Sequence, residues 1–208
     1  MGKKKIIESP YLVSIKEVVN SNKKFDNKDY LFSSKKYFSG LSGSELDYDP
    51  NKWNDNYNIK LNHNCYAYVL NQISSKRKGK PQPGYFSNFP HISYSDYNCL
   101  SFYERLKKDI PSLYLIDFDT PCKKGFYKGF IALDRKKYDT DYHFYRQDSN
   151  KYWSHKPGRT EVINFDASGK LINNPFLANR KYKYYNYSHP CFFFCINQKM
   201  AKAISTTN

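Results

Sequence analysis

From residue 113 onward the chain breaks into short segments, and this change of pattern limits the fold more than any other feature. SLYLIDFD, KGFIALDRK, DYHFYRQ, YWSHK, TEVINFD and CFFFCI are each strand-sized and dense in aromatic or β-branched residues. Turn residues separate them, DSNK at 148–151 and DASGK at 166–170. Upstream the period is helical. Tyr66, Val69, Leu70 and Ile73 recur at i, i+3, i+4 and i+7. Asn64 stands in front as an N-cap able to accept an orphan backbone N–H. Pro81, Pro83 and Gly84 in KRKGKPQPG forbid continuation. Leu100, Tyr103, Leu106 and Ile110 predict a second helix over residues 98–109, stopped by Pro111. Helices first and a meandering antiparallel sheet afterwards predict an α+β fold rather than a parallel α/β one.

A chain of 208 residues favours one domain with or without an extension. Residues 1–50 read as a basic, polar N-terminal extension, in which YLVSIKEVV at 11–19 could form a short helix or strand. Residues 51–208 read as the folded domain. No apolar run approaches the roughly 18 residues of a membrane helix. The start, MGKKKIIESP, has a basic head without an apolar signal region, and Ile6 stands where a myristoylation motif expects Ser or Thr. These features predict a cytoplasmic or virion protein with no membrane span.

The cysteines are Cys65, Cys99, Cys122, Cys191 and Cys195. An odd count in a chain of this size predicts no disulfide scaffold. Cys191 and Cys195 lie on one face of a strand pattern and read as buried small apolar side chains rather than metal ligands. His63 and Cys65 are close in sequence, but no second close ligand pair completes a zinc site. No phosphate-binding glycine loop is present. The chain predicts no cofactor. A net charge of +15 attracts phosphate. The basic residues are spread along the chain and form no recognisable nucleic-acid module, so the expectation is weak, nonspecific contact with nucleic acid.

Cys65, first in its helix behind the Asn64 cap, has the placement of a nucleophilic thiol, because a helix start lowers a thiol pKa. Such a thiol needs a base from elsewhere in the chain. His143 in DYHFYRQ and His155 in YWSHK flank the DSNK turn. A hairpin turning there would set residues whose numbers sum to about 299 opposite one another, His143 facing Lys156 with His155 one step off. His143 is then the candidate base and His155 its orienter, with Asp148 and Gln147 as alternative orienters.

The order of Cys at a helix start, then His on one strand and a second polar residue on the next, resembles the NlpC-type peptidases of the papain-like superfamily. In that family the third residue is often a second His about a dozen positions after the first, and His155 follows His143 by 12. The segments YDPNKWN, NHNCYAYVLN, KPQPGYF, DYHFYRQD and YWSHKPG are also similar to a group of proteins from large DNA viruses and some microbes. The resemblance implies a papain-like fold, N-terminal helices packed on an antiparallel sheet, and a thiol-dependent hydrolase of an amide, ester or isopeptide bond acting on a peptide or acyl substrate. The alternative is a basic virion or nucleic-acid-associated protein on an inactive scaffold of that kind. Asn64 before the cysteine and bulky Tyr66 and Tyr68 after it depart from the NlpC pattern.

Overall fold

The structure is a computed structural model and describes residues 38–73, 80–136, 139–197 and 199. The segment at 11–19 lies outside the described residues. Four α-helices are described: α1 (Asn51–Asn54), α2 (Tyr57–Asn62), α3 (Cys65–Val69) and α4 (Cys99–Asp109). Five strands follow: β1 (Tyr114–Ile116), β2 (Phe126–Lys136), β3 (Asp139–Gln147), β4 (Trp153–His155) and β5 (His189–Asn197). The fold is α+β, and every strand pairing is antiparallel, in the order β1-β5-β2-β3-β4.

The helix starts follow from their caps. Asn64 Oδ1 accepts from Ala67 N at 3.0 Å, and Asn98 Oδ1 accepts from Ser101 N at 2.9 Å. Helix α3 is shorter than its apolar spacing predicts. Its chain leaves the helix after Val69, with Asn71 in the left-handed region at φ 52° and Gln72 N donating to Ala67 O at 2.9 Å. The bulky residues behind Cys65 anchor this short helix. Tyr66 donates to Asp109 Oδ2 at 2.6 Å, and the same carboxylate accepts from Gly84 N at 2.7 Å and Ser87 N at 2.9 Å. One buried carboxylate thus joins α3, α4 and the PQPGYF turn.

The sheet separates two apolar layers. Residues Ile131, Leu133, Phe144, Phe192 and Phe194 face α3 and α4, meeting Val69, Leu70, Phe102 and Leu106. Phe130, Ala132, Tyr145 and Phe193 face the other way, against Trp153, Ile172 and Tyr187. This is the period-2 alternation of a sheet buried on both sides. Gly129 in β2 has no side chain because the Phe194 ring lies over it; a Cβ there would sit 2.6 Å from Phe194 Cζ.

Four sequence expectations are corrected. The meander holds for β2–β3–β4, but β5 inserts between β1 and β2, a pairing between distant segments that no local pattern signals. TEVINFD forms no strand and contributes only isolated bridges, His155 with Ile163 and Phe165 with Leu171. Four of the five cysteines are paired, Cys99 with Cys191 and Cys122 with Cys195. Cys191 is the extra residue of a β-bulge, since Ile131 pairs with Phe192 and Ala132 with Pro190. The bulge turns Cys191 toward α4 and its partner Cys99, whereas Cys195 keeps the alternation of Phe193 and meets Cys122. The two do not share a face.

Of the segment read as an extension, residues 38–50 run against the sheet. Buried Lys128 donates to Ser39 Oγ at 2.7 Å, Ser42 Oγ donates to Phe126 O at 2.6 Å, and Leu46 bridges to Asp148.

Candidate functional site

Along β3, strand β4 pairs only with Tyr145–Gln147, so among the described residues the first part of β3 has no strand beside it on that edge. A cavity of about 640 Å³ opens there. Cys65 and His143 both line it. They reach it from different layers: Cys65 packs among the helix-side apolar residues, and His143 lies with Tyr145 and Tyr187 on the other side. The Cys65 thiol donates to the Tyr142 carbonyl at 3.8 Å.

His143 and His155 are joined. Tyr145 pairs with His155, so the hairpin register is shifted by one residue from the expected one, and the two histidines become same-face diagonal neighbours. His143 Nε2 and His155 Nδ1 are 2.7 Å apart, and His155 Nε2 is 2.9 Å from Phe165 O. A carbonyl only accepts, so His155 carries its proton on Nε2, its Nδ1 accepts, and His143 donates from Nε2. The Nδ1 of neutral His143 is left as an acceptor. The alternative orienters are engaged elsewhere. Asp148 accepts from Arg146 Nε at 3.0 Å, and Gln147 Nε2 donates to Ser39 O at 3.2 Å. His63 Nδ1 faces Ile59 O at 2.8 Å.

Electrostatically this is not an activated thiol. Burial pushes the Cys65 thiol up to about 12, and Asp141 nearby adds to the shift. Backbone hydrogen bonds from Phe144, Tyr66 and Cys65 act in the opposite direction but are outweighed. Burial also holds His155 down at about 4 and His143 well below the usual imidazole range, with His155 contributing to the latter. At neutral pH the thiol keeps its proton and neither ring is charged.

Sequence reasoning missed much of the lining. Tyr182, Tyr184, Tyr185 and Tyr187 form one wall, and Lys80, Asp141 and Arg159 contribute charge. The run KYKYYNY at 181–187 is visible in the sequence as an aromatic, basic cluster, but nothing local places it beside Cys65. Cys99, His189 and Cys191 gather their donor atoms within 4.8 Å. Two of these are sulfurs of one disulfide, which removes the thiolate donors a metal would need.

No protein-family model matches the chain, and no solved structure matches it. Among curated proteins, it is 36% identical over 137 residues to insoluble matrix shell protein 1 of Ruditapes philippinarum, covering 64% of this chain and 80% of that protein. This finding overturns the expectation of a thiol hydrolase and that of a virion protein: the relative is named as an insoluble matrix shell protein. The physical reason sequence misled is burial, which reverses the effect of the helix start on Cys65.

Proposed function

The chain belongs to the family of insoluble matrix shell protein 1, and on that premise we propose that it is a structural component of an insoluble extracellular matrix. The observation that carries the reading is the 36% identity over most of the relative's length. Chemistry supports it. Two disulfides suit an oxidising, extracellular compartment. This location replaces the expected cytoplasm or virion. They close loops with sequence separations of 92 and 73, for which chain-entropy arguments give on the order of 4 kcal/mol each. No helix among the described residues is long and apolar enough to cross a membrane. Exposed Tyr57, Tyr94 and Tyr184 offer amphipathic contact surface, and the charge of +15 favours acidic polymers over neutral ones. We read the scaffold as papain-like in arrangement only; the support is the capped α3 beside the edge of a sheet that carries His143.

The test is fractionation of the source organism's extracellular matrix. After exhaustive extraction with detergent and chaotrope under non-reducing conditions, peptides of this chain should be enriched in the residue. Recovery chiefly from the cytosolic or readily extracted fraction would overturn the reading.

A further inference from the structure

The cavity beside β3 has a polarity that a structural role alone does not require. Lys80 and Arg159 both line it, and neither takes part in a hydrogen bond or ion pair among the described residues. Lys183 is a third cation at the same wall, placed 5.0 Å over the Tyr184 ring. Asp141, the one carboxylate among the described residues lining the cavity, is engaged by the Tyr187 hydroxyl at 2.7 Å. Lys80 and Arg159 repel one another: burial and then Arg159 depress the Lys80 ammonium, and the opposing attraction of Asp141 is outweighed. An anion entering between them relieves that repulsion and meets donors that have no hydrogen-bond partner among the described residues.

The loop that carries Arg159 is held in place. Lys156 donates to the carbonyls of Lys60 at 2.6 Å, Gly158 at 2.8 Å and Thr160 at 2.8 Å. Gly158 and Thr160 themselves line the cavity, so this buried lysine fixes a rim rather than leaving it to be ordered by a ligand. Facing that rim is the tyrosine wall. Tyr185 stacks on Tyr187 with ring centroids 5.9 Å apart, and Tyr187 stacks on His143 at 5.0 Å. Tyr184 is 66% exposed, an aromatic surface standing open to solvent. The exposed aromatic surfaces of Tyr184 and Tyr185, beside cations without a hydrogen-bond partner among the described residues, suit a ring that has apolar faces, hydroxyl edges and a negative substituent. The volume of about 640 Å³ is that of a small-ligand recess.

We propose that this recess binds an anionic sugar unit of a matrix polysaccharide, its sulfate or carboxylate held by Lys80 and Arg159 and its ring laid on Tyr184 and Tyr185. The choice of a polysaccharide over other anions rests on the matrix reading above. Binding would attach the protein to an acidic polymer without covalent chemistry.

The experiment is titration calorimetry on the full, disulfide-intact chain. The probes are a chondroitin sulfate hexasaccharide, its unsulfated counterpart, neutral chitohexaose and polyglutamate of matched charge. At least one acidic sugar should bind, and chitohexaose should bind far more weakly. The pair K80Q/R159Q should weaken acidic-sugar binding at least about tenfold, and Tyr184→Ala should weaken it as well. The pair K108Q/K124Q removes the same charge from exposed sites elsewhere and should leave affinity within about twofold. Unchanged thermal midpoints would show that the variants fold. No acidic-sugar binding, equal loss in the two double variants, or polyglutamate binding that matches the sugars and ignores Tyr184→Ala would each overturn the proposal. Retention of the chain in the insoluble fraction with any of those results would overturn the recess alone and leave the matrix assignment standing.

Discussion

His143 and His155 share one hydrogen bond, Nε2 to Nδ1 at 2.7 Å, with both rings buried and uncharged at neutral pH. The unfolded chain protonates each ring near 6.5, whereas the folded chain does so near 4 at His155 and at a depressed value at His143. Below 6.5 the unfolded state therefore binds more protons. The contribution of the pair is complete above that pH and is lost as pH falls through about 4, by up to about 1.4 kcal/mol per pH unit per ring. Burial raises Asp141 and Asp148, which act in the opposite sense. The comparison of wild type with His155→Gln isolates the histidines. Urea midpoints between pH 7 and 4.5 should show a shallower slope in the variant; equal slopes would contradict the pairing.

Thiol accessibility follows from the cysteine chemistry. Cys65 is the one free cysteine among the described residues, is buried, and is held up at about 12. The native protein should react with iodoacetamide at pH 7 far more slowly than a free thiol does. After denaturation without reductant, mass spectrometry should find a single alkylated site, at Cys65. Rapid native labelling, or several labelled sites, would refute the burial or the disulfides.

Gly129→Ala should destabilise the protein by about 1–3 kcal/mol, because the added methyl meets the Phe194 ring at 2.6 Å and Val69 Cγ2 at 3.1 Å. Shrinking the ring in Gly129→Ala/Phe194→Leu should recover part of the loss made by adding the two single effects. Strict additivity in chemical denaturation would argue against the contact.

Arg146 and Asp148 form a fully buried ion pair, with Arg146 also bonded to the Tyr68 hydroxyl at 2.9 Å and lying 4.3 Å over its ring. Arg146→Met should cost about 3–5 kcal/mol, since it leaves the Asp148 charge buried without its partner. Arg146→Met/Asp148→Leu should be more stable than Arg146→Met. A double variant no better than the single one would show that Asp148 does not depend on Arg146.

Local signals determined a large part of this protein. The Asn64 cap, the Pro111 stop, the turn at residue 148 and the strand segments that form β2, β3 and β5 each act over a few residues, and each is where the sequence places it. The same period of 2 about a known turn brings His143 and His155 to one face, although the register differs by one residue. Long-range packing decided the rest. The insertion of β5 between β1 and β2 joins segments more than 50 residues apart, and the bulge at Cys191 and both disulfides depend on it. The tyrosine wall reaches Cys65 from more than 100 residues away. Most of all, burial is a property of the folded whole. A helix start favours a thiolate, but desolvation in the assembled core outweighs it at Cys65, and a sequence shows the first effect and not the second.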